Sequence, residues 1–398
     1  MTDRMILNQA SLTKEVTLIL ALLNSGNPDE TARKHPQLFT EVNWDLFVEL
    51  NRQHRVYPYL YSRLSKMEEK VVPSDVLEQL KWQYRRNTVQ MLQLSGEMSN
   101  IAGQLAELNI RCLFLKGPVL GQELYGDLSQ RTSRDLDFLV PIEQLEDAET
   151  LLIRLGYEKE DKFESLLGDW KWREHHSTFV HPVSNVNLEL HWRLGPGPAK
   201  EPAFDDLWRH SRTSSTFGQN VRYLGPEDLF MFLAVHGARH AWSRLRWLQD
   251  IKMLLMGQQP PDSANLVRLL QRYDHNAIGG QTLILARELL ETPVDPALSP
   301  MMDNPKARRL AQDILFYLPR IVNLNTPPLE PEVEQHFNRY LPSILSTRSR
   351  MLRSASFLYP YAADAKTLPL PKPLHFLYFP LRPLLWSWRK VTGAEKEM

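Results

Sequence analysis

Residues 134–140, Arg-Asp-Leu-Asp-Phe-Leu-Val, are the stretch that decides the fold. Polar and apolar side chains alternate from Asp135 onwards, which predicts a β-strand with Asp135 and Asp137 on one face and the apolar residues on the other. Two neighbouring carboxylates repel each other, and a divalent cation removes that cost. Mg²⁺ is usually held by one or two carboxylates together with substrate phosphates. The stretch therefore predicts a strand that carries a magnesium site.

The segment before this strand supplies groups that suit phosphate. An apolar run at 111–115 predicts an earlier strand, and Lys116 and Gly117 follow it at the start of a helix. A glycine lets the backbone approach a phosphate, and helix N-terminal amides favour anions. Arg131 and Arg134 lie in the loop before the carboxylates, where arginines can clamp phosphate oxygens. We therefore expect these four residues to bind a phosphate chain.

A third carboxylate follows later in the chain. Residues 187–191, Asn-Leu-Glu-Leu-His, alternate cleanly, so Glu189 and His191 share one face of a second strand. Three acidic groups on neighbouring strands would hold one or two Mg²⁺ ions for phosphoryl chemistry. His191 would contact the substrate or orient Glu189. The alternative interpretation is that Asp135 caps a turn, the two loop arginines are its surface partners and Glu189 lies on a solvated face.

The spacing of apolar residues divides the chain into four regions. Helical periodicity is strongest at 75–108 and returns after residue 225. Six prolines after residue 359 forbid one long helix near the C-terminus. We expect an α+β fold, a mixed β-sheet core flanked by large N- and C-terminal helical regions. The expected regions are residues 1–109 (helical), 110–225 (α/β core), 226–347 (helical) and 348–398 (a proline- and aromatic-rich tail).

Composition limits the classes of function. The 398 residues include 47 Lys and Arg and 47 Asp and Glu, so the net charge is zero. Because no overall positive charge attracts nucleic acid, we do not favour nucleic acid as a partner. The one cysteine, Cys112, excludes an internal disulfide and fits a reducing compartment, and its apolar surroundings predict a small buried residue. No apolar run reaches the roughly 18 residues of a membrane-spanning helix. We expect a cytoplasmic protein.

Two features of the C-terminal half allow more than one interpretation. His236 and His240 lie four residues apart on one predicted helix face, and they would bind zinc only with a third ligand. They could instead line the phosphate site beside arginines such as Arg244, or pack in the core. Aromatic and basic residues intermingle at 374–390, which permits contact with a membrane surface. We expect prolines to interrupt a helix there, and docking on the chain's own domain is the alternative.

The chain resembles the uncharacterised nucleotidyltransferase family of the polymerase-beta-like nucleotidyltransferase superfamily. The resemblance implies a small mixed sheet flanked by helices, so residues 110–225 would be a nucleotidyltransferase-like core. The superfamily pattern has Gly-Gly or Gly-Ser at the first helix, but here Pro118 replaces the second residue, and the gap at 119–134 is longer than usual. Lys116 and the arginines would then substitute. The similar blocks are residues 113–117, 124–127, 131, 134–140, 188–193, 236–240, 247–251, 374–378 and 381–383.

The resemblance and the carboxylates together predict a Mg²⁺-dependent nucleotidyltransferase. Asp135, Asp137 and Glu189 would be the metal ligands and catalytic residues, and an NTP would be the donor. The acceptor would carry a hydroxyl group, and its identity stays open. Two other functions are compatible with the same residues: a glycosyltransferase that holds a sugar nucleotide at the Asp-x-Asp site, and a catalytically silent nucleotide-binding protein.

Overall fold

A mixed β-sheet lies at the centre of the chain. The computed structural model describes residues 7–161, 166–324 and 326–392. Within them the strands are β1 (Leu113–Phe114), β2 (Asp135–Leu139), β3 (Glu158–Lys159), β4 (His176–Val180), β5 (Asn187–His191), β6 (Arg212–Thr213) and β7 (Arg222–Tyr223). They form one sheet in the order β3-β4-β5-β2-β1-β7-β6. Strand β2 is antiparallel to β1 and parallel to β5, and β4 is antiparallel to β5.

The pairing register explains why the carboxylates come together. Asp137 of β2 lies opposite Glu189 of β5, and Asp135 lies opposite Asn187. Because side chains alternate along a strand, these polar residues project from one face of the sheet. The intervening residues of β2 and β5 are leucines and a phenylalanine, and all are fully buried on the other face. Burial of that apolar face therefore fixes the direction of the acidic one.

Helices precede the sheet, as the periodicity predicts. Thr13 and Asn43 cap the first and third of them, because their side-chain oxygens accept hydrogen bonds from backbone amides in the first turn. The third ends at His54, and the residue that follows it, Arg55, has a left-handed backbone with φ 56°. These helices are α1 (Lys14–Asn24), α2 (Pro28–Lys34), α3 (Trp44–His54), α4 (Tyr57–Leu64) and α5 (Ser74–Glu107).

Helices also connect and follow the strands, so the predicted α+β class is confirmed. Gly117 has φ 91°, a backbone conformation that other residues rarely adopt, and the first of these helices begins directly after it. The helices are α6 (Pro118–Tyr125), α7 (Leu145–Arg154), α8 (Trp170–Arg173), α9 (Phe204–His210), α10 (Pro226–Arg239), α11 (Leu245–Met256), α12 (Ser263–Arg272), α13 (Asn276–Leu290), α14 (Ser299–Met302), α15 (Pro305–Ile314), α16 (Pro331–Ile344), α17 (Thr347–Ser356), α18 (Ala362–Thr367) and α19 (Tyr378–Thr392).

The N-terminal helices pack directly on the C-terminal ones. Helix α1 packs against α13. His54, at the end of α3, is completely buried; its Nδ1 accepts the amide of Leu245 at 3.4 Å, so Nε2 donates to the carbonyl of Leu318 at 2.9 Å. The two helical regions that flank the sheet in sequence therefore meet each other in space.

The C-terminal tail folds as separate short helices. Helix α19 continues through Pro380 and Pro383, so the expectation that prolines interrupt a helix in this segment is wrong. Pro380 lies in the first turn, where a backbone amide has no helical partner to lose. Arg382 and Arg389 each lie 2.8 Å from Asp364 of α18, which ties the two helices together. Across the described parts of the chain, no helix is both long enough and apolar enough to cross a bilayer.

Candidate active site

Lys116 lies beside both predicted metal-binding carboxylates. Its Nζ is 3.0 Å from Asp137 Oδ1 and 3.8 Å from Asp135 Oδ2. Burial raises the pKa of Asp137, although the Lys116 ammonium opposes that rise. Burial would lower the pKa of Lys116, but the charges of Asp135, Asp137 and Glu189 outweigh it and raise the pKa above its ordinary value. The carboxylates therefore keep the Lys116 side chain in its protonated, positively charged form.

His191 joins the third carboxylate to this pair. Its Nε2 lies 3.3 Å from Glu189 Oε2 and 3.4 Å from Asp137 Oδ1. Burial opposes ionisation of Glu189, but hydrogen bonding to His191 and the charge of Lys116 hold the pKa of Glu189 well below its usual range. Burial would lower the pKa of His191, yet its hydrogen bonds to the two carboxylates raise it. His191 therefore lies against both Glu189 and Asp137.

The donor set fits a divalent cation. Asp137 is completely buried; Lys116 and His191 face its Oδ1, and its Oδ2 has no hydrogen-bond partner among the described residues. One donor atom from each of Asp137, Glu189 and His191 lies within 4.8 Å of the others. Carboxylate oxygens are the ligands that Mg²⁺ prefers in proteins. A buried carboxylate with one oxygen that no donor satisfies is a group to which a cation can bind.

Arginines line the cavity in front of these carboxylates. The cavity measures about 390 Å³, and Arg55, Arg134 and Arg244 line it together with the acidic residues. Among the described residues, none of these three guanidinium groups forms an ion pair with a carboxylate. Burial and the repulsion of Arg244 and other arginines lower the pKa of Arg55 to about 8. An anion in the cavity would relieve that repulsion.

Sequence reasoning identified part of this arginine group. Arg134 is on the loop before β2, as predicted, and Arg244 is beside the site with His236 and His240, which also line the cavity. Burial, together with the charge of Arg246, lowers the pKa of Arg244 to about 10. Arg55 was missed, because it lies 80 residues before β2 and nothing in the local pattern relates it to the carboxylates.

Arg131 has a different environment from the one its position suggests. Its side chain is buried and does not line the cavity. Its Nε and Nη2 each lie 3.0 Å from a different oxygen of Asp250, and its Nη1 donates to the carbonyl of Gly117 at 3.2 Å. Asp250 also accepts from Tyr125 at 2.8 Å and from Arg246 at 3.0 Å. Arg131 thus holds the loop before β2 against α11, while Gly117 sets the start of α6.

Two histidines missed as a group lie next to His191. His176 of β4 is opposite His191 of β5 in the antiparallel register, and His175 precedes it. Both line the cavity, and burial lowers the pKa of each. Their distance from residue 191 in sequence hid this proximity. Cys112, by contrast, is a buried residue as expected, and burial raises the pKa of its thiol.

A second cavity adjoins the first. It measures about 320 Å³ and shares Leu194, Phe232, Arg239 and His240 with the cavity of the carboxylates. Its remaining wall is largely apolar and includes Met231, Val235, Ile278, Phe337, Leu341 and Ile344. A molecule in this chamber would therefore lie beside the acidic cluster.

Comparison with known proteins agrees with this arrangement. No protein of curated function matches the chain. A family model described as "Uncharacterised nucleotidyltransferase" matches residues 40–291, which include β1 to β7 and every acidic residue of the site. That match covers more than half of the 398 residues. The chain belongs to the uncharacterised nucleotidyltransferase family.

Proposed function

We propose that the chain transfers a nucleotidyl group from an NTP to a small hydroxyl-bearing acceptor in a Mg²⁺-dependent reaction. One observation carries the proposal: the carboxylates of Asp135, Asp137 and Glu189 share a cavity with three arginines that form no ion pair within the described residues, Arg55, Arg134 and Arg244. The acidic group suits a metal ion, and the unpaired arginines suit a triphosphate. Nucleotidyl transfer uses both at one place.

The residues of the chain would share the chemistry as follows. Bound Mg²⁺ would supply Lewis-acid stabilisation of phosphate charge and lower the pKa of a hydroxyl group. Ionised Glu189 would accept the proton of the acceptor hydroxyl, whose oxygen attacks the α-phosphorus. The bond from the α-phosphorus to the bridging oxygen breaks, and pyrophosphate leaves. Arg55, Arg134 and Arg244 would stabilise the charge on the leaving group, which is the usual source of the largest catalytic gain.

The adjoining apolar chamber supports a small acceptor. Its volume of about 320 Å³ is at the lower end of the range for small-molecule sites. Arg239 lines both this chamber and the acidic cavity, and its pKa is lowered to about 10 by burial and then by the charge of Arg353. We therefore infer a largely apolar acceptor whose hydroxyl reaches Glu189, with any anionic group beside Arg239.

The proposal is tested by ligand-induced stabilisation. Thermal unfolding is measured with each NTP and with sugar nucleotides, with and without Mg²⁺, for wild type and Asp137→Asn. A ligand at 100 times its Kd stabilises the native state by about 2.7 kcal/mol. We expect stabilisation by an NTP that requires Mg²⁺ and is lost in Asp137→Asn. The matched control is Asp303→Asn, an exposed aspartate outside the site, which should keep it.

Other outcomes would contradict the proposed function. Stabilisation by sugar nucleotides alone would replace the proposal with the glycosyltransferase function. NTP binding that survives in Asp137→Asn would show that the carboxylates are not part of the NTP-binding site. For the NTP that binds, pyrophosphate release is then followed with small alcohols, with a protein and with RNA. Release that responds to RNA or protein, and not to small alcohols, contradicts the assignment of the apolar chamber.

A further inference from the structure

We propose that His175, His176 and His191 form a zinc site next to the carboxylates. One donor nitrogen from each of the three lies within 4.8 Å of the others. His176 Nδ1 is 3.2 Å from His175 Nε2. Tetrahedral zinc with Zn–N bonds of 2.0–2.1 Å places ligand nitrogens roughly 3.4 Å apart. The His175 and His176 nitrogens therefore already have nearly the spacing that zinc requires.

One further observation points to a ligand among these rings. His191 Nδ1 lies 3.3 Å from the carbonyl of Arg193. A metal-binding histidine usually directs its other nitrogen at such a carbonyl, which fixes the ring. All three histidines line the acidic cavity, so an ion can reach them from solvent.

The donor type selects the metal. Imidazole nitrogens favour zinc and similar transition metals, whereas Mg²⁺ prefers oxygen. The inference therefore does not depend on nucleotidyl transfer, because it concerns nitrogen donors and a different ion. The two donor sets share His191, whose Nε2 also faces Asp137 and Glu189.

Cobalt is the probe, because Co²⁺ replaces zinc and absorbs visible light strongly when a protein holds it in a tetrahedral site. Chelator-treated full-length protein is titrated with Co²⁺, and Zn²⁺ is then added. We expect an absorption band that saturates at one ion per chain and that Zn²⁺ abolishes. His175→Ala and His176→Ala should each weaken Co²⁺ binding by more than about 100-fold, above the loss that removal of an outer-shell partner causes.

Matched variants separate this site from other metal binding. His35→Ala changes an exposed histidine and should leave the titration unchanged. Asp135→Asn should also retain the band, and no nucleotide is present, so failure of the NTP proposal does not affect the result. Absence of a band in wild type overturns the inference. So does a band that survives in both His175→Ala and His176→Ala, or one lost in His236→Ala. Circular dichroism of each metal-free variant checks that it folds.

We also infer, from a different observation, that residues 347–392 bind an anionic lipid surface. Of the twenty exposed large hydrophobic side chains in the described residues, eleven lie in this segment. On α19, Leu384, Trp388 and Val391 are spaced four and three apart and therefore share one face, with exposures of 67%, 65% and 87%. Isolated exposed apolar residues are common, but such a concentration marks an interaction surface.

Charge complementarity identifies a lipid as the partner. The one carboxylate of the segment, Asp364, is completely buried and paired with Arg382 and Arg389. The exposed charged side chains of the segment are all positive and include Arg348, Arg350, Arg353, Lys372 and Lys390. An amphipathic helix with exposed aromatic and basic residues binds at the boundary of an anionic bilayer.

Vesicle co-sedimentation tests this second inference. The full chain is mixed with phosphatidylcholine vesicles and with vesicles that also contain phosphatidylglycerol. We expect salt-sensitive binding to the anionic vesicles that falls at least tenfold in Leu384→Gln/Trp388→Gln. Trp82→Gln removes an equally exposed tryptophan from α5 and should bind like wild type. Equal binding to neutral vesicles, no binding, or a variant that instead loses self-association overturns the inference.

Discussion

The buried pair of Arg131 and Asp250 allows a quantitative test of what Arg131 does. The two side chains are 1% and 0% exposed, and two parallel contacts of 3.0 Å join them. Arg246 makes a further 3.0 Å contact with the same carboxylate. Asp250→Asn removes the negative charge and leaves two buried arginines without compensation. Breaking a buried pair by removing one partner costs about 3–5 kcal/mol.

This loss is large enough to measure by thermal unfolding. One kcal/mol lowers the melting temperature by about 2–4 °C in chains of 150–250 residues. Because this chain is longer, the lower value applies, and Asp250→Asn should melt about 6–10 °C below wild type. Arg131→Lys should fall comparably, since a lysine cannot make two parallel bonds to one carboxylate.

An exposed ion pair supplies the control. Asp303 and Arg308 are 72% and 45% exposed, and Asp303→Asn should cost less than about 1 kcal/mol. A stabilising role for the Arg131–Asp250 pair is excluded if Asp250→Asn and Arg131→Lys both melt like Asp303→Asn. If they also lose the stabilisation by Mg²⁺ and NTP, Arg131 would serve the phosphates after all, as its position in sequence suggests.

Three other predictions use single groups of the fold. Burial lowers the pKa of His54 from 6.5 to about 4, so the native state resists its protonation. About 3 kcal/mol of the free energy of unfolding should therefore be lost as the pH falls from 6.5 to 4. Urea unfolding should show this loss in wild type and not in His54→Gln, and the same pH dependence of stability in both proteins would contradict it. Arg55→Asn should raise the melting temperature of the ligand-free protein, because it relieves repulsion among the arginines and asparagine accepts a left-handed backbone better. The same variant should bind NTP about tenfold more weakly in a titration. A lower melting temperature or an unchanged NTP affinity would contradict this prediction. In EDTA, Lys116→Met should have a lower melting temperature than wild type, and Mg²⁺ should raise its melting temperature by more than it raises that of wild type. No increase with Mg²⁺ would contradict a metal site at Asp135 and Asp137.

Local pattern was sufficient to predict the strand and the face of its carboxylates. The alternation in residues 134–140 determines both, because the period of a strand is two and one face must be buried. Proximity of Glu189 to Asp137 needed one further assumption, that β5 adjoins β2, and the parallel register confirms it. The family resemblance made that assumption reasonable before the pairing was known.

The groups that sequence missed depend on long-range pairing. Arg131 lies 119 residues from Asp250, and nothing near either residue shows that they meet. His175 and His176 approach His191 through the antiparallel register of β4 and β5. Arg55 reaches the cavity because the end of α3 contacts Leu245 and Leu318 through His54. In each case the residue type indicates what the side chain can bind, but only the fold shows which residues lie next to it.

Lys116 connects the charge balance of the site with its proposed activity. Its ammonium lies against Asp137 and near Asp135, so the carboxylates have one compensating charge of their own. Once a divalent cation neutralises the carboxylates, that compensation is no longer needed, and the lysine can turn towards phosphate oxygens within the same cavity. The sequence predicted a phosphate-binding lysine at this position, whereas the structure places it on the carboxylates. The two assignments are compatible if metal and nucleotide bind together, which is why stabilisation by NTP should depend on Mg²⁺.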